Sequence, residues 1–241
     1  MGEFQVRYEG KTAVVSIDDG KANALTTAEF ASLEKALDTV AASEARAVVL
    51  TGRAGYLSAG LNLKSLGTGT LDDMKAVTAA MGSAVLKLFT FPLPVVTAVT
   101  GHALGGGAMF VLASDVSLFA DGPFKFGLNE VPIGLFVPTY AIELARARFP
   151  TERLTEAVVH GRVLTPAEAL EWKIAESLHA PDAVLGAALA RAEQLGTISG
   201  AGYAMTKQLV RGASVALAKS KLSAELNDMT GLMAKRFGLP G

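Results

Sequence analysis

From Thr12 to Ala120, short apolar runs alternate with stretches whose apolar residues recur every three or four positions. That alternation restricts the chain to folds in which helices pack on sheets. "TAVVSID" (Thr12 to Asp18), "RAVVLTG" (Arg46 to Gly52), "VVTAVT" (Val95 to Thr100) and "DVSLFA" (Asp115 to Ala120) read as strands, preceded by "FQVRY" (Phe4 to Tyr8) across the turn pair Glu9-Gly10. The Arg46 run is apolar along its middle, as a strand covered on both faces must be. Phe30, Leu33, Leu37 and Val40 mark one helix, opened by a capping box of Thr26 and Glu29. Met74, Val77, Met81, Val85 and Leu88 mark a second, which Pro92 and Pro94 end. Past Pro138 the strand signals fade. "TPAE" at Thr165 to Glu168 starts another helix, and helical patterns run from Ala183 to Gln194 and from Ala201 to Phe237. The expected organisation is an α/β body over residues 1–190 and a C-terminal helical region over 191–241, with no linker between them.

Composition narrows the chemistry. The 241 residues contain no cysteine, which excludes disulfides, thiolate metal sites and a cysteine nucleophile. A net charge of −1 without a basic block leaves no electrostatic footprint for nucleic acid. "MGEFQVRYEG" lacks a basic-then-apolar leader, and no apolar run approaches the about twenty residues a membrane span needs, so a cytoplasmic protein with no membrane partner is expected. His102, His160 and His179 are scattered without ligand spacing, and no metal site is expected.

Three consecutive glycines, Gly105 to Gly107, open a short helix in "GHALGGGAMFVLASD". Each costs conformational entropy, so the position demands either positive φ or close approach of the backbone to something. The dinucleotide spacing G-x-G-x-x-G fails because Ala103 stands at its second glycine, and the Walker pattern fails because no Lys-Ser/Thr follows. Taken alone, the cluster could serve only to pack a helix close to a strand. A second stretch, "YLSAGLNLK" (Tyr56 to Lys64), also follows a strand and also contains a small-residue turn. Two such turns can aim two backbone N–H groups at one point, the geometry that stabilises negative charge developing on a carbonyl oxygen.

With these stretches on the page, the sequence resembles the crotonase superfamily of enoyl-CoA hydratases and isomerases. "KANALT", "YLSAGLNLKSL", "GHALGGGAMFVLASDVSLFAD", "FKFGLNEVPIGL" and "LTPAEALEWKI" follow the family's order and spacing over nearly the whole chain. The resemblance implies an α/β crotonase-like superhelix of stacked ββα turns with a C-terminal helical trimerisation region, assembled as homotrimers or hexamers. It also implies a coenzyme A thioester as substrate and no separate cofactor. The oxyanion hole would be formed by the N–H groups of Leu61 and Gly106. Ala59, Asn62, Leu63 and Lys64 would line the coenzyme A channel, with Ala59 near the adenine and Lys64 near the phosphates. Lys64 by itself reads equally as a solvated loop lysine.

Hydratases of this family carry two glutamates. The first falls on Met109 here, and the second matches Glu130, so the acid-base pair is half present. A thioether neither orients water nor delivers a proton. A double-bond shift needs less: one carboxylate removes a proton from C2 of a 3-enoyl thioester and returns it at C4. The lone glutamate in "GLNE", with Asn129 before it and "LFVPTYA" shortly after, resembles the isomerases. Glu130 is therefore the expected catalytic base, in an apolar pocket lined partly by Met109 and Phe136, with its pKa raised by desolvation. Outside its motif Glu130 would read as a surface carboxylate, Met109 as core packing and Asp115 as a strand-start or turn residue. The expected activity is isomerisation of a 3-enoyl-CoA to the 2-enoyl-CoA in fatty acid degradation. Hydration with a single glutamate, and acyl-CoA binding without turnover, remain as alternatives. Lys235 and Arg236, near the C-terminus, are left without a role.

Overall fold

The computed structural model describes residues 2–237, and the side chains of these except Leu66 and residues 229–237, a range that includes Lys235 and Arg236. The strands are β1 (Gln5–Glu9), β2 (Thr12–Ser16), β3 (Ala24–Leu25), β4 (Ala47–Thr51), β5 (Gly55–Ser58), β6 (Gly60–Leu61), β7 (Val95–Val99), β8 (Gly101–Leu104), β9 (Val116–Ala120), β10 (Phe126–Gly127) and β11 (Ser177–His179). The α-helices are α1 (Thr27–Ala41), α2 (Leu63–Thr68), α3 (Leu71–Phe89), α4 (Gly106–Ala113), α5 (Thr139–Arg148), α6 (Pro166–Glu171), α7 (Val184–Gly196) and α8 (Ala201–Phe237). The mixed α/β architecture expected from the alternation is present.

A six-stranded sheet runs in the order β1-β2-β4-β7-β9-β11, with β1 antiparallel to β2 and every other pair parallel. Parallel neighbours need both faces covered, and the pleat divides the side chains accordingly. Val14, Val49, Val96, Ala98 and Leu118 face α7 and pack on Val184, Ala188 and Ala192. Ala13, Val15, Val48, Leu50, Val95 and Val99 face the other way, into the main core with α1, α3 and α4. Each fully buried valine or leucine there contributes about 1.5 to 3 kcal/mol of transfer free energy. The capping boxes at Thr26 and Thr165 form, each joining the threonine side chain and the glutamate three residues on to the opposite backbone N–H.

Two small sheets complete the framework, β10-β8-β5 and the pair β3-β6, all parallel. Their strands have two to four residues, too short for a readable period, and sequence reasoning does not identify them. β11 also escapes it, being three half-buried residues at the sheet edge beside β9. The position between residues 190 and 191 falls inside α7. α8 is continuous over 37 residues, about 55 Å at the α-helical rise, and packs against α3 and α5.

Candidate active site

The glycine triplet joins β8 to α4. Gly105 stands at the N-cap with φ 51° and ψ −118°, a combination open to glycine and costly for any residue with a Cβ. Gly107 is required for a different reason: a Cβ there would lie 2.4 Å from the Ser58 carbonyl oxygen at the end of β5. The triplet thus lets the start of α4 press against the β5–β6 turn. α4 has no side-chain cap, and its first intrahelical bond runs from Met109 N–H to the Gly105 carbonyl at 3.0 Å. The Gly106 N–H finds no acceptor among the described residues, the normal condition of a first-turn donor.

The second turn approaches the same point. Leu25 pairs with Leu61, and the Asn62 N–H donates to the Leu25 carbonyl at 2.9 Å. Successive N–H groups of a strand leave by opposite edges, so the Leu61 N–H leaves β6 on the edge away from β3. Gly60, beside it, backs directly onto the triplet: a Cβ on Gly60 would lie 3.3 Å from Gly106 N and 2.7 Å from the Leu104 carbonyl.

Glu130 comes to this turn through β10. The Gly105 N–H donates to the Gly127 carbonyl at 3.0 Å, and Phe126 exchanges backbone bonds with Leu164. Glu130 then begins a 3-10 turn over Val131–Ile133, its carbonyl accepting from Ile133 and Leu135 N–H. Its side chain turns back on the triplet. Oε1 lies 3.4 Å from where a Cβ on Gly105 would stand, and the neighbouring Asn129 Oδ1 lies 3.7 Å from the same point. The residue as a whole is half-buried, but Oε2 is sealed from solvent and has no hydrogen-bond partner among the described residues. Burial of the charged form pushes the carboxyl from its usual 4.5 up to about 7, opposed only by its own backbone N–H.

Met109 and Phe136 separate. Phe136 is half-buried and packs on the core edge. Met109 has no exposed surface and packs in the main core, the simpler of the two readings its sequence allowed. The reason is tertiary. The side chains of α4 point into the core, and every residue from Gly106 to Ala113 is buried.

Ala59, Leu61, Asn62, Leu63 and Lys64 line one cleft of about 630 Å³, together with residues between Asp19 and Glu29. Within it, Asn62 has a structural task, its Oδ1 accepting from Ser65 N–H at 3.2 Å where α2 begins. Lys64 is exposed and makes no ion pair among the described residues. A second cleft of about 690 Å³ lies between the β1–β2 turn and α7. It has no comparable chemistry: Arg46, on its wall, gives its guanidinium to the Gly196 and Ser199 carbonyls.

Asp115 proves to be more than a turn residue. Its carboxylate accepts from Val95 N–H, from Lys207 Nζ at 2.7 Å and from Arg211 Nη2 at 2.9 Å, which fastens the first half of α8 to the start of β7. Burial lowers Lys207 to about 8, against the opposing pull of Asp115, and lowers Arg148 to about 10. Asp115 pairs with two cations, and Arg211 and the nearby Arg148 also donate to the Phe89 and Ser114 carbonyls, where α3 and α4 end and the helix dipoles favour positive charge. Further along α8, Glu225 caps α5 by accepting from the Thr139 N–H and hydroxyl. Lys207 and Arg211, four apart in a helical pattern, were the available signal in the sequence, but it does not name their partner.

A sheet-and-helix fold that sets the Glu130 carboxyl against two glycine turns fits the class of acyl-thioester enzymes that the sequence resembles. The family described as enoyl-CoA hydratase/isomerase matches residues 7–235, and the chain belongs to that family, part of the crotonase superfamily. Among curated relatives, the carnitinyl-CoA dehydratase of Salmonella arizonae is 28% identical over 210 residues, covering 86% of this chain and 80% of that protein. The putative enoyl-CoA hydratase of Thermus thermophilus is 30% identical over 207 residues, covering 84% and 81%. The crystal structure of an enoyl-CoA hydratase/isomerase family protein from Pseudomonas syringae superposes with a TM-score of 0.89 at 28% identity, covering 94% of this chain and 97% of that one.

Proposed function

We propose that the protein isomerises a 3-enoyl-CoA to its 2-enoyl isomer with Glu130 as the only acid-base group. The observation that carries this reading is the single carboxyl at the Gly105–Gly106 turn, poised at about 7 and without a hydrogen-bond partner on Oε2, while the position two residues past the triplet is a core methionine. The thioester carbonyl binds between the N–H groups of Leu61 and Gly106. Glu130 in its ionised form takes a proton from C2, and negative charge moves through the dienolate onto the thioester oxygen, where the two N–H donors stabilise it. The protonated carboxyl then delivers the same proton to C4. A pKa near 7 suits both halves, since the group must accept and return one proton at similar cost. Loss of one backbone donor from such a pair costs about 2.7 to 4 kcal/mol of transition-state stabilisation. The coenzyme A portion extends along Ala59 to Lys64, in the cleft outside Leu61, and no other cofactor takes part. Assembly into trimers or hexamers through the C-terminal helices, and a cytoplasmic location, belong to the same proposal.

The names of the relatives favour a second reading, hydration or dehydration of an acyl-CoA by the same glutamate. Incubation with 3-enoyl-CoA and, separately, with 2-enoyl-CoA distinguishes the two. Conjugated-thioester absorbance growing from the first, with no hydration of the second, supports isomerisation, and the reverse pattern supports hydration. Glu130→Gln abolishes either activity; turnover retained by that variant removes Glu130 from the mechanism.

A further inference from the structure

The Glu130 carboxyl is oriented by no neighbouring side chain among the described residues: Oε2 has no partner, and only the residue's own N–H reaches the group. The backbone turn that carries it therefore sets where its oxygens lie, and residues 161–164 hold that turn from behind. They run beside residues 126–132, joined at one end by the Phe126 and Leu164 backbone bonds of 2.9 and 2.7 Å. Next along, a Cβ on Gly127 would lie 2.9 Å from the Arg162 carbonyl oxygen. At the far end, buried Gly161 meets the chain on both sides of Glu130. A Cβ there would lie 3.4 Å from the Leu128 carbonyl oxygen, 2.7 Å from Pro132 Cγ and closer still to its Cδ, and φ is 63°. The segment is itself fixed: the Arg162 guanidinium pairs with Glu156 and, at 2.6 Å, with Glu168, and lies 5.3 Å from the centroid of the buried Trp172 ring.

We propose, resting on Glu130 as the acid-base group of the reading above, that Gly161 and Pro132 are its positioning residues. The bare α-carbon at Gly161 lets the proline ring seat against the 161–164 segment, and that seat fixes how far the carboxyl reaches over Gly105. Glu130 Oε1 lies 3.4 Å from where a Cβ on Gly105 would stand, so a turn pushed outward draws the carboxyl off that point and toward water. A misplacement of about 1 Å costs about a hundredfold in rate. The cleft along Ala59 to Lys64 is built from other elements, β6 and the start of α2, so the hold on coenzyme A does not change with the seat.

The test compares Gly161→Ala, Pro132→Ala and the double variant on 3-hexenoyl-CoA and on 2-hexenoyl-CoA. Gly161→Ala is expected to lower kcat by about tenfold to a hundredfold with KM changed by less than about twofold. Pro132→Ala removes the Cγ and Cδ that the new methyl meets, so the double variant should recover most of the lost kcat, a non-additivity that marks direct contact. Gly10→Ala, at φ 58° in open space, has similar backbone strain without the contact and should keep kcat. A second readout needs no turnover. A carboxyl drawn toward water is less desolvated, so the change in stability difference between Glu130→Gln and its parent from pH 5 to pH 8 should shrink by about half or more in the Gly161→Ala background. It should return when Pro132→Ala is added. Tyr140, whose phenol interacts with Glu130, stays neutral over that range. A Gly161→Ala protein with wild-type kcat and wild-type pH dependence overturns the proposal, as does a loss that Pro132→Ala fails to relieve. If Gly161→Ala does not fold, Pro132→Ala alone is read: kcat lowered by about threefold or more supports the seat, and an unchanged kcat overturns it. If the wild type turns over neither thioester, the isomerase reading falls, and the pH readout alone decides whether the seat positions Glu130.

Discussion

Replacing Glu130 by Gln should make the protein more stable as well as inactive, and the gain should depend on pH. In the folded state burial raises the carboxyl from 4.5 to about 7, so the fold prefers the protonated form. The stability this group contributes is fully present below pH 4.5 and is lost as pH rises through about 7. At about 1.36 kcal/mol for each pH unit between the two values, the ionised carboxylate costs the fold about 3 kcal/mol at alkaline pH. Most of that loss, about 2 to 3 kcal/mol, falls between about pH 5 and pH 8. Glutamine is neutral throughout and keeps nearly the same shape, so it escapes the loss. Urea denaturation of wild type and Glu130→Gln at matched protein concentration, from pH 5 to pH 8, measures the difference directly. The variant should gain about 2 to 3 kcal/mol on wild type across that range, equivalent to about 5 to 10 °C in Tm for a chain of this size. A difference that stays flat with pH would refute the desolvated carboxyl. Activity runs the other way, because only the ionised form takes the C2 proton: kcat/KM should rise through about pH 7 as stability falls. Ionisation of one group thus opposes stability and activity in the same pH window.

Gly107→Ala puts a Cβ against the Ser58 carbonyl and should cost about 3 kcal/mol or more by denaturation, whereas Gly10→Ala, at φ 58° with open space around it, should cost only about 1 to 2 kcal/mol. Comparable losses in the two variants would mean that the β5–α4 contact is not tight. Asp115→Asn leaves Lys207, 5% exposed at its side chain, without its counter-charge, and should cost about 3 to 5 kcal/mol. Limited proteolysis should then cut first within residues 201–228, and a protection pattern like that of wild type would count against Asp115 as the anchor of α8. Lys64→Gln should raise KM for an acyl-CoA by about threefold at low salt and make little difference at high salt, because an exposed charge is screened. An unchanged KM at low salt would return Lys64 to the role of a solvated lysine.

Much of the framework was legible in the sequence because it rests on local periodicity. The short apolar run Ala47–Thr51, bounded by a turn signal, reads as a buried strand, and Thr26 with Glu29 caps a helix without help from distant residues. Glu130 and the glycine triplet were likewise visible as types in a pattern. What lay beyond reach depends on contacts between residues far apart in the chain. Asp115 gives no sign that Lys207 and Arg211, more than ninety residues later, will close on it. Met109 reads alike as pocket lining or as core.

The sequence alone therefore determined the α/β class and which residue types could carry chemistry, since these follow from spacing and composition along the chain, and its motifs resembled one family. Tertiary structure decided that Glu130 would lie beside Gly105 with Oε2 sealed from solvent, that Met109 would be enclosed, and that Tyr140 would fill a notch at Gly82. The physical reason is that desolvation and steric closure are properties of a site assembled from several segments, and no single segment encodes the surroundings that the others supply.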